Sequence, residues 1–243
     1  MIRRIIGLMI MGVGLSTAVS ACNNSNQIEQ LPPETILQNA ATRMNQMAGF
    51  QFNIAREGAP AYLDPDEILS FRRATGAYAA PDKAAAAVRV IGPAIITDVD
   101  VISIGETQWQ TNVATGAWEE LPPNFGFNPT TLFDPQIGLQ TILLEDMTNL
   151  QLAELQNLKD DDGPDQELYH LTGEATGERL YEMSGTLIGP APVIVELWIL
   201  PETFELVRVL VTEPIPDTEE TSLWQVDFAN FDEVIEILPP GQQ

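Results

Sequence analysis

Period-two alternation of apolar residues, repeated in hairpin order, constrains this chain more than any other feature. Val193, Val195, Leu197 and Ile199 share one face of a segment, Pro201-Glu202-Thr203 turns the chain, and Phe204 to Thr212 returns with Val207, Val209 and Val211 together. Ser222 to Asn230 repeats the pattern with Trp224, Val226 and Phe228, and Ile95 to Ile104 sets Ile95, Thr97, Val99 and Val101 against Asp98 and Asp100. Successive strand side chains point to opposite faces, so such runs read as half-buried strands. Strands joined by consecutive hairpins form an antiparallel sheet. Phe50, Phe52 and Ile54 mark an earlier strand, and Ile68 to Tyr78 and Lys83 to Ile91 mark two more, although propensity alone pulls Ala84 to Ala87 toward helix. Thr107 to Thr111 and Ala117 to Leu121 form a hairpin carrying Trp109 and Trp118. Leu150 to Leu158, Glu167 to Glu174 and Val234 to Leu238 are the remaining strands.

Two segments carry helical spacing. In Pro33 to Met47, Ile36, Ala40, Met44 and Met47 recur every three or four residues, with proline suited to the first turn and Gly49 to the end. Asp134 as N-cap and Pro135 at the first position open a second helix, in which Ile137, Leu139, Ile142, Leu143, Leu144 and Met147 are apolar on more than one side. A helix this apolar is buried or faces a cavity. Thr176 to Gly185 is ambiguous, with room for one helical turn. Ala59 to Asp66 reads as a turn region, and Leu121 to Thr131 as a loop exposing Phe125 and Phe127. The fold class is therefore α+β, mainly β: a large curved antiparallel sheet with one face available for helices or ligand.

The N-terminus supplies an address. Arg3 and Arg4 precede an uncharged apolar run, and Val19-Ser20-Ala21-Cys22 follows. A basic start, an apolar middle and small residues before a cut form a secretory signal. Cys22 is the single cysteine, so no internal disulfide is available. Val-Ser-Ala-Cys resembles the lipobox of bacterial lipoproteins, in which the cysteine is diacylated and becomes the first residue. An uncleaved anchor or a plain secretory cut are the alternatives; the apolar run is short for a span and contains several glycines. The division expected is signal peptide 1–21, lipidated cysteine and flexible tether 22–32, and one domain 33–240, held outside the cytoplasm at a membrane.

Charge excludes much. The chain carries 11 Lys+Arg against 35 Asp+Glu, a net −24, which becomes −26 once Arg3 and Arg4 leave with the signal. Phosphate backbones are bound by Lys and Arg, so nucleic acid is not a partner. The acidity fits a soluble, monomeric domain, with attraction of a basic partner as the alternative. His170 is the single histidine and lies in a strand without a nucleophile motif, so no Ser-His-Asp or Cys-His triad and no enzyme activity is expected. Asp160-Asp161-Asp162-Gly163 resembles part of a calcium loop, but an EF-hand frame would begin at Leu158 and end at Tyr169, which supply no carboxylate. No cofactor or metal is expected.

The order of elements, with the segments Gly76 to Val90, Val101 to Trp118 and Val195 to Val209, resembles the LppX/LprA/LprF/LprG family of bacterial lipoproteins, related in fold to the LolA/LolB carriers. The resemblance implies an unclosed half-barrel with helices over its concave face and an apolar cavity between them. It implies binding of acylated lipids or glycolipids and a part in moving them through the cell envelope, with a membrane transporter as a further partner. A tethered interaction domain, or a lipoprotein chaperone without lipid transfer, is the alternative. The cavity wall is expected to include Phe52, Val99, Val101, Trp109, Ile142, Leu143, Leu197 and Ile199, with Phe125 and Phe127 at its mouth. The family maps its acylated cysteine onto Cys22 and supplies no catalytic residue. The alanine-rich strand Ala84 to Ala87 departs from the family, its small side chains either widening a pocket or reflecting composition alone.

Overall fold

The computed structural model describes residues 28–122, 128–153, 155–158, 166–216 and 218–242. The signal segment, Cys22, the loop residues Phe125 and Phe127, and the acidic turn 160–165 lie outside the described residues.

The alternating runs pair into one unclosed antiparallel sheet. Its order is β7 (Trp118–Glu120), β6 (Thr107–Thr111), β5 (Ile95–Ile104), β4 (Lys83–Gly92), β3 (Ser70–Ala79), β1 (Gly49–Glu57), β13 (Thr221–Ala229), β12 (Leu206–Pro214), β11 (Val193–Ile199), β10 (Gln166–Ala175) and β8 (Thr148–Leu152). Two short strands add to it: β2 (Ala61–Tyr62) pairs with β3, and β9 (Gln156–Leu158) with β10. Two runs of consecutive hairpins thus meet where the first strand pairs with the last, Phe52 opposite Phe228 and Ile54 opposite Val226.

Helices cover the concave face. α1 (Pro33–Gln46) places Pro33 in its first turn, where a missing N–H costs nothing, and buries Ile36, Leu37, Ala40, Ala41 and Met44. A 3-10 helix (Pro129–Phe133), α2 (Leu139–Glu145) and α3 (Gly177–Met183) complete the layer. The packed core lies between this layer and the inward side chains of β1, β3, β4 and β10 to β13.

Several elements depart from the pattern expected. The alanine run is strand, because Ala84 and Ala86 face inward at the centre of a ladder with β3 and β5, and sheet context outweighs propensity. Asp134 caps a turn and not the α-helix: its carboxylate accepts from the Gln136 and Ile137 amides at 2.7 and 3.3 Å. α2 begins only after Gly138, where a Cβ would stand 2.6 Å from the Asp134 carbonyl oxygen. Leu150 to Leu158 splits into β8 and β9, both on β10. A register shift at Trp198/Ile199 turns Leu206, and not Val207, onto the buried face of β12. Val234 to Leu238 forms no strand. It lays Ile235 and Ile237 against Ala79 and Ile102 in a second cluster, with Trp109 and Trp118 beside them. At the other end, Ile28 and Leu31 already pack on the main core, and the Tyr169 hydroxyl donates to the Glu29 carbonyl at 2.5 Å.

Tyr78 ties the sheet to its aromatic core. It is 5% exposed, its hydroxyl donates to the Pro81 carbonyl at 2.7 Å, and its ring lies 5.2 Å from Phe50 and 5.3 Å from Phe133. Burial first, then the charges of Asp134 and Asp82, push its pKa from 10.0 up to about 12. A raised folded-state pKa stabilises fully below the unfolded value and loses that contribution as pH rises toward the folded one. Denaturation midpoints are therefore expected to fall between pH 10 and about 12. Tyr78→Phe should flatten that part of the profile, as measured by chemical denaturation against pH.

Candidate functional site: an apolar cavity under the helices

Side chains at period two on the concave face enclose a cavity of about 350 Å³. Its floor is Phe52 and Ile54 of β1, Phe71 and Ala74 of β3, Ala86, Val88 and Val90 of β4, Val99 and Val101 of β5, Val209 and Val211 of β12, and Trp224 and Val226 of β13. Its roof is Pro129, Leu132 and Phe133 of the 3-10 helix, Leu139 of α2, Leu180 and Met183 of α3, and Leu187 and Ile188 of the following loop. Polar contributions come from Asp64, Gln108, Gln110 and Ser184. The size is at the lower end of ligand pockets, and the composition is that of a site for apolar matter.

One row across the sheet explains the space. Phe52 stands opposite Gly76, Gly76 opposite Ala86, Ala86 opposite Val101, and Val101 opposite Gln110. A Cβ on Gly76 would meet the Phe52 Cζ and the Ala86 Cβ at 2.8 Å, so the phenyl ring occupies the room that the glycine leaves. With Ala86 and Ala74 also small, the wall recedes in mid-sheet. Interiors normally close-pack, so empty volume here follows from side chains too short to reach across.

An aromatic cluster closes one end. Phe133 lies edge-on to Phe50 at 4.9 Å and within 5.2 Å of Phe52 and 6.1 Å of Phe228. It is delivered by a 3-10 turn that Asn128 caps, accepting from the Thr130 amide at 3.0 Å, with Pro129 next. The sequence carries this signal, an Asn-Pro pair matching Asp134-Pro135, inside a stretch read as loop. Phe133 follows just beyond that stretch, and Leu180 and Met183 lie in the ambiguous 176–185 segment, so sequence reasoning missed all three.

A buried ion pair closes the floor. Arg56 and Glu213 are 6% and 9% exposed and 2.8 Å apart. Glu213 also accepts from the Trp224 indole at 3.1 Å and from the Gly189 amide at 2.6 Å, and the Arg56 guanidinium sits 4.5 Å over the Trp224 ring and donates to the Ala59 carbonyl. The charges satisfy each other's hydrogen bonds, a condition for keeping an ion pair out of water. They also pin the roof loop after α3 to β12.

Of the residues expected on the wall, Phe52, Val99 and Val101 line the cavity. Ile142, Leu143, Leu197 and Ile199 are all within 2% of full burial in the core, outside that lining. Ile142 and Leu143 sit on a helix shorter than expected, and Leu197 and Ile199 lie on β11, beyond the strands that bound the space. Trp109 points to the other face of the sheet, toward Ile102 and the C-terminal segment. Phe125 and Phe127 lie outside the described residues. His170 stacks on Trp198 at 4.5 Å with its Nε2 2.8 Å from Glu196, away from the cavity.

A model of the LppX_LprAFG lipoprotein family matches residues 32–237. Comparison with curated proteins finds no match. Among solved structures, LprF from Mycobacterium bovis matches at 12% identity with a TM-score of 0.67, covering 86% of this chain and 96% of that one. LppX from Mycobacterium tuberculosis matches at 15% identity and a TM-score of 0.59, covering 84% and 97%. These likenesses are of fold. Among the described residues, no helix is long and apolar enough to cross a membrane.

Removing one partner of a buried pair costs about 3–5 kcal/mol, while replacing both with apolar groups is often neutral. Glu213→Ala is expected to lower the denaturation midpoint by a corresponding amount, and Arg56→Met with Glu213→Leu to recover most of it, read by urea titration.

Proposed function

The chain belongs to the LppX_LprAFG lipoprotein family, and from that premise we propose that it is a membrane-anchored extracytoplasmic binder of acylated lipids or glycolipids that helps move them through the cell envelope. The observation that carries this reading is the apolar cavity of about 350 Å³ between sheet and helices. Each methylene removed from water contributes about 0.8 kcal/mol, so ten methylenes contribute roughly 8 kcal/mol with few polar contacts needed. Three residues expected from sequence to touch lipid, Phe52, Val99 and Val101, line that space, and Ala86 sets its width. No catalytic group is assigned.

Acylation at Cys22 supplies the anchor. Ile28 already packs on the core, five residues before the expected start of the domain at Pro33. At 3.3–3.6 Å per residue, the step from Cys22 to Ile28 spans roughly 20 Å at most.

Protein purified from a lipid-containing host and extracted with organic solvent is expected to yield about one equivalent of acylated lipid, also visible by native mass spectrometry. Ala86→Phe, which fills the recess from the floor, should lower that yield several-fold with an unchanged circular dichroism spectrum. A lipid-free extract from the unaltered chain would sink the reading in favour of a tethered interaction domain. Separately, Cys22→Ser should leave the chain without acyl chains, as measured by mass, and an acylated variant would remove Cys22 as the anchor.

A further inference from the structure

Five of the eleven large apolar side chains that stay exposed among the described residues gather in one place. Tyr62, Leu63, Ile68, Ile95 and Ile96 are 40%, 39%, 53%, 39% and 68% exposed, and all lie at one end of the sheet. The ladder brings Tyr62 and Ile96 onto one outward-facing row: Tyr62 stands opposite Ser70, Ser70 opposite Ile91, and Ile91 opposite Ile96, with Ser70 and Ile91 each one position from the inward Phe71 and Val90. The two turns touch over Gly92, where Ile95 Cγ2 and Leu69 Cδ2 both approach within 3.1 Å of where a Cβ would stand. Contiguous exposed apolar surface on a soluble domain marks an interaction site.

This lip is held in shape. The Leu63 amide donates to the Leu69 carbonyl at 2.8 Å, and the Asp64 carboxylate accepts from the Leu69 and Ile68 amides at 2.6 and 3.1 Å. Those bonds, Leu69 first, hold its carboxyl below the usual carboxylate range. The turn therefore keeps its one inward charge internally bonded and presents Leu63, Ile68 and Leu69 around it.

The lip is also the edge of the cavity, since Leu63, Asp64 and Leu69 line it. An acyl chain entering or leaving past these residues would meet water for every methylene in transit, at about 0.8 kcal/mol each, unless the lip itself stood in an apolar layer. We propose that the lip formed by the 62–69 turn and the β4–β5 turn seats in the surface of a lipid layer of neutral headgroups, opening the cavity directly to acyl chains. Asp66 and Glu67, exposed in the same turn, disfavour an anionic surface. The inference rests on reading the cavity as an acyl-chain site, and a protein partner is the rival occupant.

The test uses the acylated chain in phosphatidylcholine vesicles whose acyl chains are brominated. With Cys22 blocked by acylation, Ile68→Cys introduces the one thiol for a fluorescent label, and Ile194→Cys, 53% exposed on β11, serves as reference. Bromine is expected to quench the label at position 68 several-fold more than at 194. Ile96→Glu in the first chain, or phosphatidylglycerol in the vesicles, should reduce that excess. Equal quenching at both positions overturns the proposal, and so does an excess insensitive to Ile96→Glu. Loss of lipid from the solvent extract with the quenching intact would defeat the cavity reading instead, so the two fail separately.

Discussion

The ladder between β1 and β13 is the contact on which the rest depends. It joins the start of the domain to its end in mid-sheet, so each hairpin run gains a neighbour on its inner side. Without it, the β1–β7 and β8–β13 runs would be two smaller sheets, each with an extra free edge and half a core. Cavity residues come from both sides of this seam: Ala86 and Val99 on one, Val209 and Val211 on the other, with Phe52, Ile54, Trp224 and Val226 on the seam itself. The cavity therefore exists only once the most distant parts of the chain have met. Such pairing carries a large loop-closure cost and slows folding relative to local contacts.

The strands were legible because alternation survives in them. Val193 to Ile199 and Ser222 to Asn230 repeat a single two-residue rule, and the structure follows it. The seam was not legible, since nothing in either strand names its partner across the chain. Helical capping rules misled at Asp134, where the same Asx-Pro chemistry that opens a helix also stabilises a turn. The C-terminal Val234 to Leu238 alternates like a strand yet finds no open ladder, and it covers the outer face with Ile235 and Ile237.

The candidate wall was legible to the extent that inward strand positions are. What sequence could not separate was packed inward from hollow inward. Leu197 and Phe52 read alike, yet one is locked among large neighbours and the other leans over Gly76. The difference lies across the ladder, in how small the opposing residues are. The alanine run supplies such a residue, with Ala86 between Gly76 and Val101.

A sheet that stays unclosed keeps two edges, and strands at an edge invite pairing with neighbouring molecules. Here β7 is three residues long and ends in Glu119 and Glu120. On the far side, the β8 ladder is broken by a register shift between Thr172 and Glu174, and Asn149 has a positive φ of 52°. Both edges are thus poor templates, one short and charged, the other bent. Where molecules are concentrated and collisions are frequent, this guards against edge-to-edge aggregation. The opening that makes room for a ligand is compatible with crowding because its rims refuse another strand.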